Sequence, residues 1–382
     1  MYKKMMIVFF AVILLGLSIG TLIAMPKEQY PFSENENRYL ASFPNISLNS
    51  LTDKEFMEGF DKWDSDMFIW REKWINIKNN SERVMGKMNI SGVYTYGGRM
   101  MQSWERNIEK TAKNLDAIDM FSKRYPGLTM YFLLAPTSLE IYNDLLPAAA
   151  NFDVDDMRKY ISYCENYLTG VTPINVTDIL YQNRDKYIFY RTDHHWTSLG
   201  ANLAYLESGR VMGFSPYSID DFTVERAADD FRGTLYSKTL DSAVEPDIID
   251  YYILSGGDPE TTISVLGEEG YQSRSSIYFR EYLDKKDKYS SFLGQNTPLL
   301  KIKSKLRNDM GKLLVFKDSY AHSLIPFLAK NWGEITVVDM RYINVDYNQY
   351  INPEEYDSVM FIYNAVTFSE DTHIGKLKLG IG

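Results

Sequence analysis

The chain has 382 residues, 45% apolar and 24% charged, enough for a sizeable core in one or two domains. A net charge of −10, with no long Lys/Arg run, argues against nucleic acid, whose binders present basic patches. The single cysteine, Cys164, excludes an internal disulfide and Cys-based metal motifs.

The run from Met5 to Met25 carries no charge and is long enough to cross a hydrocarbon core that needs about 20 residues. Lys3 and Lys4 precede it, which places the N-terminus in the cytoplasm and the rest of the chain outside. A cleavable signal peptide is the competing reading. The exit Ile23-Ala24-Met25-Pro26-Lys27 favours an uncleaved single-pass anchor in the cell membrane. Residues 1–25 are thus read as cytoplasmic N-terminus and anchor. Residues 26–90 are an extracytoplasmic arm and helical segment, and residues 91–382 the main domain.

Pro26 to Ser47 is polar and irregular, as an extended arm would be. From Thr52 to Asn80 the pattern is helical, with Phe56, Phe60, Trp63, Met67, Trp70 and Trp74 three or four apart. Such a stripe reads as core packing, as do most of the 29 Tyr, 20 Phe and 6 Trp, although aromatics also suit sugar faces. Val93–Tyr96 reads as a strand broken by Gly97-Gly98, and Asn107–Tyr125 as a helix ended by Pro126-Gly127. The apolar run Leu128–Leu134 predicts a strand buried on both faces, with Ala135–Ser138 the loop at its C-terminal end. Met157–Leu168 predicts a helix in which Cys164 is a small buried residue. Val176–Leu180 and Tyr187–Tyr190 read as short strands or edges, and Thr197–Met212 as a helix with Thr197 at its N-cap. Residues 213–300 are less regular and read as an insertion or subdomain of β and loop, including Asp250–Ile253 and Thr261–Val265. Lys312–Phe316, Ile335–Asp339 and Ser358–Tyr363 are strands, and Leu324–Asn331 a helix. Strands alternating with helices imply an α/β domain with a mainly parallel sheet.

Four histidines are available for chemistry: His194, His195, His322 and His373. Ser319 follows a buried strand and opens a helix, the end of an α/β sheet where ligands bind and where free N–H groups favour developing negative charge. Read alone, this stretch is better explained as a plain helix cap by Asp318, Ser319 or Ser323, because such caps are common. A serine nucleophile needs a base, and the base needs an acid to hold its tautomer. Asp193 and His195, two apart in an extended segment, face one side and supply both; His194 then faces the other. A metal site needs three or four ligands, and two adjacent histidines facing opposite ways are a poor start. No metal and no cofactor are expected.

Asp193-His194-His195-Trp196, followed by Thr197-Ser198-Leu199-Gly200-Ala201, resembles the DHHW family. It also resembles the Asp-x-His-Trp-Thr signature of alginate O-acetylation proteins with SGNH-hydrolase-like domains. Glu36-Asn37-Arg38 with Leu40 and Pro44, the Asp66, Phe68, Arg71 pattern, and Lys317-Asp318-Ser319-Tyr320 extend that likeness. The resemblance implies a three-layer SGNH-like fold with permuted motif order, since the Asp-x-His block precedes the serine. It implies Ser319 as nucleophile, His195 as general base and acid, and Asp193 as its orienting partner. Lys317-Asp318 stands where Gly-Asp is usual, which leaves the oxyanion donors open: the N–H of Ser319 or Tyr320, Arg341, or Asn364, with Tyr363 lining the site.

The implied activity is O-acetylation of an exported polysaccharide through a serine acyl-enzyme. Acetyl-CoA is absent outside the cytoplasm, so the implied partner is a membrane-bound O-acyltransferase that delivers acetyl groups. An SGNH-type carbohydrate acetylesterase, or a non-catalytic polysaccharide-binding scaffold, is the alternative.

Overall fold

In the computed structural model the described residues are 2–28, 31–47, 50, 54–148, 156–267, 270–306 and 310–380. Two units follow, one from Met1–Ser91 with Tyr236–Ala243, the other from Gly92–Leu235 with Val244–Gly382. Each is described by itself.

The first unit opens with the helix Tyr2–Ala24, whose 23 residues are long and apolar enough to cross a membrane; a signal sequence has the same character. The expected extended arm contains a short hairpin, Phe32–Ser33 against Arg38–Tyr39. The single helix expected from Thr52 is two helices, Glu55–Met67 and Arg71–Val84; Thr52 itself lies outside the described residues. Phe68 adopts an extended ψ of 130° and Trp70 a left-handed φ of 57°, and these two residues turn the corner. Periodicity missed the break because the helical spacing of aromatics continues across it. The segments around Glu36 and Asp66 meet. Arg38 donates to both Asp66 oxygens, at 2.9 and 2.6 Å, and Arg71 pairs with Glu36. Phe43, Phe56, Phe60 and Trp63 form a small aromatic cluster beside them.

The second unit is a mixed α/β fold around an eight-stranded sheet. In chain order its strands are β1 (Thr129–Ala135), β2 (Thr172–Pro173), β3 (Thr261–Gly267), β4 (Gly270–Arg274), β5 (Leu299–Ser304), β6 (Lys312–Lys317), β7 (Glu334–Val338) and β8 (Ser358–Asn364). The spatial order is β4-β3-β5-β7-β6-β8-β1-β2. Pairs from β7 to β2 are parallel; β5, β3 and β4 add antiparallel strands at the other edge. The buried runs in β1, β6, β7 and β8 are strands because both their faces are covered, so every residue can be apolar. Phe121, on the helix Ile108–Arg124, packs against Phe316 of β6 and Phe361 of β8. Cys164 is fully buried on the helix Met157–Tyr167, and burial pushes its thiol up to about 12.

Three further expectations need correction. Val176–Leu180 is not a strand: Thr177–Gln182 is a helical segment, and Tyr187–Tyr190 contributes only an isolated bridge, Phe189 to Trp196. A five-residue segment with three apolar residues fits a helix turn and a strand equally, and packing decides. The helix expected over Leu324–Asn331 shrinks to Ile325–Leu328, preceded by the 3-10 turn Ser319–Ser323. Residues 213–300 are not wholly an insertion, because β3, β4 and the start of β5 are integral to the main sheet. The same stretch carries a hairpin of its own, Phe222–Phe231 against Asp247–Leu254.

Candidate active site

Ser319 stands at the C-terminal end of β6, between β7 and β8. This is where connections leave a parallel sheet in opposite directions and a crevice opens. Asp318 shapes the turn. Its backbone N–H bonds to Ile362, its Oδ1 accepts from the Tyr320 N–H at 2.9 Å, and its Oδ2 accepts from the Asn364 backbone N–H at 2.9 Å and side-chain amide at 2.7 Å. Burial raises the Asp318 carboxyl above its ordinary range, although these N–H groups and the Arg341 charge work against that.

The other half of the site is the segment Arg191–Trp196. It is not extended but bent, and Asp247 holds the bend. This buried carboxylate accepts from the Arg191 and Thr192 N–H groups, each at 2.7 Å, from the Thr192 hydroxyl at 2.6 Å and from Tyr187 at 2.5 Å. The Met100 N–H meets the Arg191 carbonyl from the other side. Two hydrogen bonds then latch this segment onto the serine turn: Trp196 Nε1 donates to the Tyr320 carbonyl at 3.0 Å, and the Tyr320 hydroxyl donates to the His194 carbonyl.

The result is a chain of contacts. His195 Nε2 lies 2.8 Å from Ser319 Oγ, and His195 Nδ1 lies 2.5 Å from Asp193 Oδ1. Asp193 Oδ2 accepts from the Thr234 N–H at 2.7 Å and the Thr234 hydroxyl at 3.0 Å. Asp193 is buried, which favours its neutral form. The charges of His194 and His195 and the hydrogen bonds outweigh that, and the carboxyl is held well below the usual range. Gly233 is required here, since a Cβ on it would lie 2.3 Å from the Asp193 side chain.

His194 is not on the opposite side. Because the segment bends, its ring lies 3.9 Å from that of His195, and its Nδ1 sits 2.6 Å from the Thr234 hydroxyl. Asp193, His194 and His195 even offer potential metal-ligand atoms within 4.8 Å of one another. The alternation argument against a metal therefore fails. The carboxylate is already shared between His195 and Thr234, and His195 Nε2 faces Ser319, which is the arrangement of a proton relay.

The oxyanion candidates separate. Asn364 spends its amide on Asp318 and on Thr367, at 2.6 Å, and caps the helix Ala365–Glu370. The Tyr320 N–H is spent on Asp318. The Ser319 N–H opens the 3-10 turn and has no acceptor among the described residues. Arg341 donates from Nε and Nη2 to Asp339, at 2.9 and 2.6 Å, and its remaining N–H groups are not engaged there. Tyr363 is fully buried, and its hydroxyl meets no partner among the described residues.

Sequence reasoning missed Tyr289. Its ring stacks on His195 with centroids 3.8 Å apart and planes 12° from parallel. Its hydroxyl donates to the Ser319 carbonyl at 3.1 Å and lies 3.1 Å from the Ser323 hydroxyl. It missed Asp247, Gly233 and Thr234 as well. None carries a local signal, because each is 30 residues or more from the group it supports. Lys317 is buried and bonds to Asn296 at 2.8 Å, His322 at 2.8 Å and Asp339 at 3.2 Å; burial lowers its basicity.

A profile of DHHW proteins matches residues 116–338, more than half of the chain. The chain belongs to the DHHW family. The motif that names the family is Asp193–Trp196, the bent segment just described. Among solved structures, a DHHW family protein from Eubacterium siraeum is 23% identical, with a TM-score of 0.66 over 76% of this chain and 96% of that one. Bacillus cereus PatB1 is 23% identical, with a TM-score of 0.62 over 75% of this chain and 99% of its own. PatB1 with a sulfonyl adduct is 22% identical, with a TM-score of 0.63 over 75% and 97%. These likenesses are of fold. No curated protein matches the chain in sequence.

Proposed function

We propose that this DHHW protein is an O-acetyltransferase acting on an exported polysaccharide through an acetyl-serine intermediate. The observation that carries the reading is the contact chain Ser319 Oγ, His195, Asp193, with spacings of 2.8 and 2.5 Å. Ser319 Oγ attacks the acetyl carbonyl of a donor, and His195 Nε2 takes its proton. The donor's carbonyl–oxygen bond breaks, and His195 returns the proton to the leaving alcohol. A sugar hydroxyl then gives its proton to His195 and attacks the acetyl-serine; the bond from the carbonyl to Ser319 Oγ breaks, and His195 returns the proton to Ser319 Oγ. Asp193 holds the imidazole and stabilises its charged form. The Ser319 N–H and Arg341 are the donors for the developing oxyanion.

The domain reading is an SGNH-like three-layer catalytic unit with the serine block last. The helix Tyr2–Ala24 is taken as an uncleaved anchor, so this unit works outside the cytoplasm. No cytoplasmic acyl thioester reaches it there, and a membrane-bound O-acyltransferase is the partner that supplies acetyl groups. No cofactor is required.

The test uses residues 26–382 with an activated acetyl ester, comparing wild type with Ser319→Ala and His195→Ala. Acetate release lost in both variants, with the acetyl label on a Ser319 peptide by mass spectrometry, is expected. Faster transfer to water than to any sugar acceptor would turn the reading towards an acetylesterase. No label from any ester, with unchanged polymer acetylation in cells carrying Ser319→Ala, would sink catalysis and leave a scaffold.

A further inference from the structure

The helix Arg71–Val84 is built inside out. Its polar face is the inner one: Asn79 donates to the Thr239 carbonyl at 2.6 Å, Asn76 to the Leu240 carbonyl at 3.0 Å, and Arg83 pairs with Asp241. Asn79 is buried. The opposite face carries Trp74, Ile77 and Val84, spaced to fall on one stripe at 3.6 residues per turn, and Trp70 stands at the corner just before the helix. In that order these side chains are 43%, 55%, 90% and 60% exposed. Lys73 and Lys78 flank the stripe. A helix in water hides its apolar stripe. This one displays it.

The same unit contains the apolar helix Tyr2–Ala24, and the two are joined. The Ile69 N–H donates to Thr21 Oγ at 3.1 Å. Ile69 Cδ1 packs so closely over Gly20 that a Cβ there would lie 3.0 Å away. Thr21 is the buried residue of that helix. It precedes the helix end at Ala24 by about 5 Å at 1.5 Å per residue. The apolar run from Met5 spans about 30 Å, the thickness of a hydrocarbon core, so Thr21 lies about 5 Å inside its outer boundary, a depth that an interfacial side chain reaches. Trp70 follows Ile69 directly, with Cα atoms about 3.8 Å apart. Tryptophan prefers this level of a membrane, and lysines beside it reach for headgroups along their alkyl stems.

We infer that Trp70 and the Trp74, Ile77, Val84 face of the helix Arg71–Val84 rest in the interface of the outer leaflet, as a second membrane contact beside the span. The inference depends on the anchor reading. The occupant is lipid, because the face continues from the point where the span leaves the bilayer, and because its composition of Trp with flanking Lys matches an interfacial helix.

The test uses the full chain, labelled with an environment-sensitive maleimide at Ile77→Cys, at Lys62→Cys as a water-facing control, and at Leu14→Cys in the span. Cys164 is buried, so the label reports the introduced site. Each protein is reconstituted in phosphatidylcholine–phosphatidylglycerol vesicles carrying a nitroxide at a shallow or a deep acyl position. The Ile77 label is expected to be blue-shifted and quenched several-fold more by the shallow nitroxide than the Lys62 label, with the Leu14 label quenched by the deep one. An Ile77 label quenched by aqueous iodide as readily as Lys62, while Leu14 stays deep, overturns the inference and leaves the anchor standing. A Leu14 label lost by cleavage overturns both. Shielding of Ile77 from both quenchers in native membranes, absent from the vesicles, assigns the face to a protein and also overturns it.

Discussion

The serine turn and the helix Arg71–Val84 treat polar groups in opposite ways. Around Ser319 three buried carboxylates are paired: Asp318 with three N–H groups, Asp193 with His195 and Thr234, Asp247 with four donors. In the helix the polar face is also turned inward and paired, but here the large apolar groups are left outside. An apolar exterior is unfavourable in water, whereas a buried paired network excludes water from a reacting centre. The first arrangement fixes side chains in one geometry. The second suits a surface that meets something other than water.

The contrast can be broken at several places. The largest effect falls on activity. Ser319→Ala or His195→Ala should reduce acetyl-ester turnover by about 10³-fold or more, because neither group works without the other. Retention of turnover within a few-fold would separate the contact chain from catalysis.

Next come two tryptophans of opposite setting. Trp196 is fully buried and latches the two halves of the site, so Trp196→Ala should cost about 3–5 kcal/mol in urea unfolding. Trp74→Ser on the outer face of the helix should change stability by no more than about 0.5 kcal/mol. Equal costs would erase the difference drawn between the regions.

Asp193→Asn should cost about 2–3 kcal/mol at pH 7, since it removes the charged partner of His195. The folded carboxyl lies below its ordinary value. Its contribution is therefore complete above about pH 4, the unfolded value, and is lost as pH falls through the folded one. The gap between variant and wild type should narrow on acidification below about pH 4, read from urea titrations at both ends. A gap that widens in acid would contradict the sign.

Gly233→Ala should cost about 1–3 kcal/mol and displace Asp193, so turnover falls along with stability. The smallest effect belongs to Tyr289→Phe, which keeps the ring on His195 and removes only the hydroxyl contacts to Ser319 and Ser323, about 1 kcal/mol. A loss in kcat as large as that of His195→Ala would make that hydroxyl part of the chemistry.

Several parts of this protein were readable before any coordinates. The strands at β1, β6, β7 and β8 announce themselves because a strand covered on both faces has no place for charge. The roles proposed for Asp193, His195 and Ser319 came from the resemblance of Asp193–Trp196 and Lys317–Tyr320 to known families, since Ser319 read alone is a plain helix cap. The pairing of the Glu36–Arg38 and Asp66–Arg71 segments, by contrast, appears only once the chain folds back.

The sequence by itself determined the apolar helix, the parallel core and the residue types of the site, since each depends on local pattern. Only the tertiary structure decided that His194 and His195 lie side by side, that Tyr289 stacks on His195, that Asp247 bends the Asp193 segment, and that Trp70 and Trp74 face outward. The reason is the range of the interactions. Periodicity records which way a residue would face if its element ran straight. A bend set by a buried carboxylate 55 residues away leaves no mark in that pattern.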